Sequence, residues 1–318
     1  MFKSKELETI QHLCENKDPL ISTNVLDTIN YKNKDYPIVS FSIGTKDKTA
    51  PVLGLFGGVH GLEKIGTHVV LSYLSSLFYQ LKWDRDLREL FSKFRIVSIP
   101  LINPAGMAHF KRSNPRGVDL MRNAPVIKDV ENTIPLISGH TFSNKLPWYR
   151  GVEGEMEKES HALVDFIQKE IFPSKVALSV DFHSGFGLVD RLWYPYGYTN
   201  NPSIMQPQID SLINLFNNTI PHHVYQIEPQ SASYGIYGDL WDYLFDEYMK
   251  HNPNGVYIPW TLEMGSWNWV RKNPLQLFNI EGLFNPMKDH RYNRTMRRHF
   301  LLIDFLAKAS RNVTNWNE

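Results

Sequence analysis

The sequence alternates between short apolar segments, rich in β-branched residues, and longer segments whose apolar residues recur at helical spacing. Residues 94–101 (FRIVSIPL) fit a strand buried on both faces of a sheet, and residues 63–80 carry the apolar stripe of an amphipathic helix. Alternation of this kind predicts a single α/β domain with a mixed, mostly parallel twisted sheet and helices on both faces. The predicted strands are 36–43, 52–56, 94–101, 175–182, 191–195 and 256–262, and the predicted helices are 6–16, 63–80, 155–170, 203–216, 239–249 and 293–309.

Two further segments are assigned by their turn residues. The strands 36–43 and 52–56 flank the polar turn GTKDKT and are therefore predicted to form a hairpin, so that residues 1–50 supply a helix and hairpin elements to the same domain. Residues 114–154 are rich in Asn, Pro and Gly and show no sustained period. This pattern predicts a long ordered loop region, and loops of that length usually serve a site.

Charge and cysteine content exclude several classes of protein. The 318 residues contain 34 Lys and Arg against 33 Asp and Glu, so the net charge of +1 gives no reason to expect a nucleic-acid or membrane partner. No apolar run approaches the roughly 18 residues that a membrane span needs. The single cysteine, Cys14, excludes an intrachain disulfide framework, and the charged amino terminus lacks the apolar centre of a secretory signal. We therefore expect a cytoplasmic protein, with its oligomeric state left open.

Unusual polar residues follow three of the predicted strands. His60 and Glu63 come in the turn GGVHGLE after the strand 52–56, His183 ends the run VALSVDFH, and Glu263 lies in TLEMG. Because ligands gather beyond the carboxyl ends of strands in open α/β sheets, we expect these side chains to converge. Two imidazoles and one carboxylate are a recurring ligand set for catalytic zinc, whose fourth position is left to water or substrate. His60, Glu63 and His183 are thus candidate zinc ligands.

Neighbouring residues then acquire candidate roles. Asp119 and Ser184 are candidate partners of the ligating imidazoles, which normally donate their second N–H to an oxygen acceptor. Glu263 is a candidate general base, with a structural salt bridge as the alternative. Each histidine taken alone is more often a surface or hydrogen-bonded residue than a ligand. Arginines of the loop 110–123 are suited to stabilise an oxyanion or to grip a carboxylate, but for Arg116 solvated surface charge is the preferred interpretation.

Taken together, these blocks resemble the M14 zinc carboxypeptidases, the carboxypeptidase A-like or funnelin group. The resemblance covers roughly residues 50–270 and depends on HGLE, on NPAG followed by KRSNPRGVDLMRN, on DFHSG, on YPYGYT and on TLEMG, in that order. It implies one catalytic domain spanning residues 1–318 and one zinc ion per chain. It also implies roles for six residues: His60, Glu63 and His183 as ligands, Glu263 as catalytic glutamate, Arg112 as the carbonyl-polarising arginine, and Asp119 as the residue that orients His60.

Departures from the family pattern concern the substrate. The peptide-trimming members hold the substrate's terminal carboxylate with an Asn-Arg pair, and here the pair is Met121-Arg122. A thioether donates no hydrogen bond, so Arg122 alone would anchor the acidic group. Tyr234 is the candidate for the family's mobile tyrosine.

The resemblance implies a peptidase that acts beside a free carboxylate on a peptide or an acylated amino acid. A small-molecule deacylase, a cell-wall peptide amidase and a catalytically silent peptide-binding member remain alternatives. A serine hydrolase or nucleotide-binding enzyme is set aside because neither GxSxG nor a P-loop occurs.

Overall fold

A computed structural model describes residues 4–126 and 138–317. The described residues form one α/β domain built on an eight-stranded mixed sheet of order β1-β2-β4-β3-β5-β8-β6-β7. The predicted fold class is therefore confirmed. The strands are β1 (Ile21–Tyr31), β2 (Lys34–Gly44), β3 (Val52–Gly57), β4 (Arg95–Ile99), β5 (Val176–Ser184), β6 (Arg191–Tyr194), β7 (Gln226–Pro229) and β8 (Val256–Met264).

Helices cover both faces of this sheet. They are α1 (Lys5–Cys14), α2 (Lys64–Gln80), α3 (Arg85–Leu90), α4 (Pro104–Ala108), α5 (Lys158–Glu170), α6 (Gln206–Thr219), α7 (Leu240–His251), α8 (Trp267–Lys272), α9 (Ile280–Phe284) and α10 (Asp289–Arg311). Four 3₁₀ turns complete the described elements: Leu120–Arg122, Gln230–Ala232, Pro274–Phe278 and Val313–Asn315. None of the helices in the described ranges is long and apolar enough to cross a bilayer.

The centre of the sheet is parallel. β3 pairs with β4 and β5, and β5 pairs with β8, all in parallel register. Apart from Val176 at the start of β5, these central strands are buried along their whole length, which explains why their sequences are mostly apolar rather than alternating. Antiparallel pairs occur towards the edges, between β1 and β2, between β2 and β4, and between β6 and β8.

The predicted hairpin is wrong. β2 pairs with β1 and β4, and β4 lies between β2 and β3, so the strands flanking GTKDKT are not neighbours. The hairpin partner of β2 is β1, which the sequence analysis missed because ISTNVLDTINY is a half-exposed, largely polar edge strand. Of the predicted loop 114–154, residues 127–137 lie outside the described part of the chain. The described part contains one 3₁₀ turn and an isolated bridge between His140 and Tyr149.

Two close approaches hold α2 against the sheet edge where the candidate site lies. Gly58, directly after β3, has φ +68°, a conformation that favours glycine and turns the chain towards α2. A Cβ on Gly66 in the first turn of α2 would lie 2.0 Å from the carbonyl oxygen of Phe182, so only glycine permits this contact with β5. The turn that carries His60 and Glu63 is thereby placed beside the end of β5.

Candidate metal centre

Three residues predicted from the sequence as metal ligands meet at the carboxyl edge of the parallel strands. His60 and Glu63 lie in the turn between β3 and α2, and His183 lies near the end of β5. One ligand atom from each side chain falls within 4.8 Å of the others, and all three residues are buried. The structure therefore brings together two imidazole nitrogens and a carboxylate in an arrangement that matches the donor set of a catalytic zinc site.

Glu63 is fixed by contacts with the end of β5. Its Oε2 lies 3.1 Å from Nδ1 of His183 and accepts a hydrogen bond of 2.9 Å from the backbone N–H of Ser184. Ser184 was predicted as a partner of a ligating imidazole, but its Oγ has no hydrogen-bond partner within the described ranges, and its backbone N–H bonds Glu63 instead. Its contribution to the site is the backbone donor.

Two residues that the sequence analysis did not assign hold the other side of His183. Nε2 of His183 lies 2.7 Å from Oδ2 of Asp181, and the same oxygen accepts a 2.9 Å hydrogen bond from Nε1 of Trp241 in α7. Asp181 is fully buried and lies two residues before His183 on β5. Because side chains two apart on a strand point to the same face, the D-x-H spacing was the signal for this contact. Trp241 comes from a distant helix and gave no such signal.

His60 is surrounded by Arg112 and Asp119. Its Nε2 accepts a 2.7 Å hydrogen bond from Nη2 of Arg112, while its Nδ1 lies 3.7 Å from Oδ1 of Asp119. Arg112 also donates to Oδ2 of Asp119 through Nη1. Asp119, predicted to orient His60, therefore lies beside it, and Arg112, predicted to polarise the scissile carbonyl, contacts the same ring. Nδ1 of His60 and Oδ1 of Asp119 are buried and have no hydrogen-bond partner in the part of the chain that the structure describes.

The two imidazoles differ in their electrostatic surroundings. Burial and the charges of Arg112 and His183 hold the pKa of His60 well below its ordinary value, so this ring is neutral and able to donate a lone pair. Burial alone would lower the pKa of His183, but Asp181 and Glu63 together raise it well above its ordinary value. A carboxylate thus faces each ring nitrogen of His183. The position between Nδ1 and Glu63 can hold a metal cation in place of a proton. Two buried imidazoles and a carboxylate are the donor set that catalytic zinc takes, so the residues present fit zinc.

Glu263 lies beside this cluster without belonging to it. It pairs in register with His183 across β5 and β8, so that both project from adjacent strands at the same edge. Its Oε1 accepts a 3.0 Å hydrogen bond from the backbone N–H of Phe186. Burial, together with repulsion from Glu63, raises the pKa of the Glu263 carboxyl above its ordinary value. The alternative interpretation, a structural salt bridge, has no support here, since no Lys or Arg within the described ranges forms an ion pair with Glu263.

The candidate substrate-binding residues lie on one side of the same cavity. Arg122 is buried and donates from Nη1 to Oδ2 of Asp119 at 2.9 Å. Its guanidinium carbon lies 5.9 Å from the ring centre of Tyr234, a cation–π geometry. Met121 is buried in the adjoining wall. Arg116, in contrast, is exposed and lies 3.4 Å from Glu157, as expected of a surface charge.

The cavity in front of these residues has a volume of about 430 Å³. Its walls are strongly aromatic, and the six aromatic residues are Trp148, Phe186, Trp193, Tyr234, Trp267 and Phe284. Its polar lining residues lie at the metal cluster, with Arg112, Arg122, Ser184 and Glu263, and in a second group of Gln230, Ser233 and Thr261. A cleft with aromatic walls and convergent polar groups is typical of a small-ligand or peptide site.

Comparison with known proteins places these features in a family context. A sequence model described as zinc carboxypeptidase matches residues 8–270. The chain is similar to mast cell carboxypeptidase A of Rattus norvegicus, with 26% identity over 180 residues, which are 52% of this chain and 41% of the relative. It is also similar to the human mast cell carboxypeptidase A, with 22% identity over 236 residues, which are 69% of this chain and 54% of the relative. The matches thus span about half the length of these curated relatives or less.

Solved structures show the same fold. Bovine thrombin-activatable fibrinolysis inhibitor, in complex with a tick carboxypeptidase inhibitor, superposes with a TM-score of 0.69 at 16% identity, covering 97% of this chain and 96% of that one. Carboxypeptidase A from Helicoverpa armigera gives a TM-score of 0.62 at 18% identity, covering 80% of this chain and 62% of that one.

Proposed function

Because the chain belongs to the zinc carboxypeptidase family, we propose that it is a zinc-dependent hydrolase that cleaves an amide bond next to a free carboxylate. We take residues 1–318 as one catalytic domain of this kind. The observation that carries the proposal is the meeting of His60, Glu63 and His183 within 4.8 Å, with Glu263 in register beside His183.

These three residues would hold a zinc ion, which when bound polarises a carbonyl group and lowers the pKa of water. The remaining contributions come from the chain itself. Asp181 and Trp241 fix the ring of His183, and the backbone N–H of Ser184 fixes Glu63. Ligands held in this way need no rearrangement before the reaction, which is what makes a polar site effective.

Glu263 is the proposed general base and acid. Oε1 is held by the N–H of Phe186, so the carboxylate keeps a fixed position in the cavity wall. This carboxylate would take a proton from the attacking water and then pass it to the nitrogen of the leaving amine. This transfer is needed because an amide nitrogen is a poor leaving group until it is protonated.

Two arginines have separate proposed roles towards the negative charges of the substrate. Arg112 lies against His60 and is the proposed donor to the oxyanion that develops on the scissile carbonyl. Arg122 lies deeper, behind Asp119 and under Tyr234, and is the proposed anchor for the free carboxylate of the substrate. The acidic end of the substrate would then point towards Arg122 and its scissile bond towards His60 and Glu263.

Met121 favours a second candidate within the same chemistry. It lines the cavity next to Arg122 but donates no hydrogen bond, so a terminal carboxylate has one anchor fewer than in the family's peptide-trimming members. The aromatic walls at Trp148, Phe186 and Trp267 offer apolar contact to an acyl group. A deacylase of acylated amino acids, or a cell-wall peptide amidase, is therefore the alternative hydrolase, and a silent peptide-binding member is the non-enzymatic one.

A hydrolysis screen tests the proposal. Purified protein is incubated with three substrate sets: peptides that differ in their carboxyl-terminal residue, N-acyl amino acids, and muropeptides. Each set is repeated after chelation and after zinc is added back. We expect turnover that chelation abolishes and zinc restores. Zinc-loaded protein without turnover on any set would overturn the hydrolase and favour the silent member, and turnover confined to the second or third set would select the alternative hydrolase.

A further inference from the structure

The chain after β8 exposes several large apolar side chains beside the cavity. The 3₁₀ turn Pro274–Phe278 and the start of α9 present Leu275, Leu277, Phe278 and Ile280 within six positions. Their exposed fractions are 75%, 58%, 89% and 62%. Side chains as exposed as these protrude from the surface, so the group, here named the apolar ridge, is convex rather than a groove.

The apolar ridge is held firmly on the domain. Gln276 is buried, and its Nε2 donates to the carbonyl oxygens of Gly282 at 2.8 Å and Asn285 at 3.3 Å. Asn285 in turn accepts from the N–H of Ile65 at 2.9 Å and donates to the carbonyl oxygen of Leu62 at 2.8 Å. These contacts flank Glu63, so the apolar ridge is fixed to the turn that carries a proposed metal ligand.

The ridge also borders the mouth of the cavity. Phe284, at the end of α9, and Trp267, at the start of α8, both line the cavity. Nε1 of Trp267 donates to the carbonyl oxygen of Gly185 at 3.0 Å, directly after β5. A surface that contacted the apolar ridge would therefore lie next to the entrance of the site.

The part of the chain that carries the apolar ridge is rich in basic residues. From residue 267 to residue 298 the chain has seven Lys and Arg against two Asp and Glu, a surplus of five, whereas the whole chain carries a net charge of only +1. Of these residues, Glu281 is paired with Lys64 at 2.7 Å and Arg298 with Asp190 at 2.7 Å. Arg271 and Lys272 are exposed just before the ridge in sequence, and Lys288 is exposed eight residues after it. The net charge of the whole chain is near zero, and for that reason no membrane contact was expected. That total does not reveal the local surplus of basic residues.

We propose that the apolar ridge and its basic neighbours dock the protein on an anionic lipid bilayer. Protruding apolar side chains enter the boundary between headgroups and acyl chains, while adjacent Lys and Arg stay with the anionic headgroups. A second copy of the chain is a poorer occupant, because a two-fold contact would set the same basic side chains opposite each other. Docking in this orientation presents the cavity mouth to molecules attached to the membrane.

Vesicle sedimentation tests the proposal. The full chain is spun with large unilamellar vesicles of phosphatidylcholine alone or of phosphatidylcholine with phosphatidylglycerol. We expect binding to the anionic vesicles only, weakened by salt. The double change Leu277→Ser and Phe278→Ser is expected to weaken binding at least tenfold, and Lys272→Gln about fivefold, since one basic residue contributes that much near an anionic surface.

Matched control changes are available elsewhere on the surface. Trp83 and Lys82 are exposed and follow the far end of α2, about 25 Å along that 17-residue helix from Lys64, so Trp83→Ser and Lys82→Gln should bind like the wild type. Circular dichroism checks that each variant is folded. Sedimentation measures binding without turnover, so the result does not depend on the proposed hydrolase.

Three outcomes would overturn the proposal. The first is wild-type protein that stays in the supernatant with anionic vesicles. The second is a Leu277→Ser, Phe278→Ser double variant that binds as well as the controls. The third is self-association that this double variant abolishes, without any lipid binding, because that result would assign the ridge to a second copy of the chain.

Discussion

Nδ1 of His183 lies 3.1 Å from Oε2 of Glu63, although the two residues are 120 positions apart in the chain. Parallel pairing of β3 with β5 produces this contact, since both strands end at the same edge of the sheet. The glycine turn after β3 then directs Glu63 towards the end of β5. The proposed metal site is thus a product of the sheet topology, and it can be tested one residue at a time.

Removal of an imidazole ligand should release the metal. His183→Ala leaves only His60 and Glu63 from the ligand set, and two ligands do not complete a catalytic zinc site. We expect metal content to fall from about one zinc per chain to a small fraction of that value, measured by plasma emission spectrometry after dialysis. His222→Ala is the control because His222 is exposed. Full stoichiometry in His183→Ala would show that the ligand assignment is wrong.

Substitution of Asp181, which holds Nε2 of His183, should weaken zinc binding without abolishing it. Asp181→Asn keeps the size of the side chain but removes the negative charge that faces Nε2 of His183 at 2.7 Å. Loss of such a partner typically weakens metal binding by about 10- to 100-fold. Competition with a chromogenic chelator measures the change. An affinity equal to that of the wild type would mean that Asp181 only packs the core beneath the site.

Glu263→Gln should separate metal binding from catalysis. The amide keeps the shape and the contact with the N–H of Phe186 but no longer accepts a proton from water. General acid–base catalysis contributes about 10²- to 10⁴-fold, so kcat should fall by that order while zinc content stays unchanged. Glu247→Gln, on the surface side of α7, serves as the control. An unchanged kcat in Glu263→Gln would remove Glu263 from its proposed role.

Apolar periodicity was sufficient to predict the fold class and most of its central elements. The buried strands β3, β4, β5 and β8 are mostly apolar, and α2, α5, α7 and α10 have amphipathic spacing, so each segment carries its own signal. β1 lacks that signal because an edge strand with partly exposed faces tolerates polar residues. Strand order is not encoded locally either. β4 lies between β2 and β3, and adjacency along the chain therefore predicted a hairpin that does not form.

Residues of the candidate site could be predicted from the sequence when they follow the end of a strand or belong to a recognisable motif. His60, Glu63, His183 and Glu263 met that condition. Trp241 did not, because a tryptophan in an amphipathic helix reads as core, and its hydrogen bond to Asp181 depends on how α7 packs on the sheet. The contribution of Ser184 through its backbone was also invisible, since a backbone donor has no sequence signature.

Met121→Asn should strengthen binding of substrates with a free carboxylate. Met121 lines the cavity next to Arg122, and asparagine would add an N–H donor at that position. A hydrogen bond to a charged group is worth about 1.5–3 kcal/mol, so KM for such substrates should fall roughly ten- to hundredfold. Substrates whose carboxylate is blocked as an amide provide the comparison and should show little change. Equal effects on both kinds of substrate would remove the carboxylate anchor from the proposed function.

A buried histidine far from the proposed metal ligands in sequence offers a test of stability against pH. His299 in α10 is buried, and its Nδ1 lies 2.9 Å from the hydroxyl oxygen of Tyr225. Burial lowers the pKa of His299 to about 4, against an ordinary value near 6.5, because the interior disfavours the charged ring. Arg298 acts in the same direction, whereas Asp190 opposes it. The folded protein therefore binds fewer protons at this residue than the unfolded chain does.

Acid should destabilise the fold through this group over a defined range of pH. A pKa lowered on folding contributes its full stability above about pH 6.5, and that stability is lost progressively as the pH falls towards about 4, in total about 3 kcal/mol. His299→Gln keeps a polar partner for Tyr225 but does not titrate, so its free energy of unfolding should fall less steeply between about pH 6.5 and about pH 5. Urea unfolding of both proteins in the same buffers measures the difference between their free energies of unfolding at each pH. Release of any bound zinc by acid affects both proteins alike and so does not contribute to this difference. Parallel pH curves for the two proteins would show that His299 titrates alike in the folded and unfolded states.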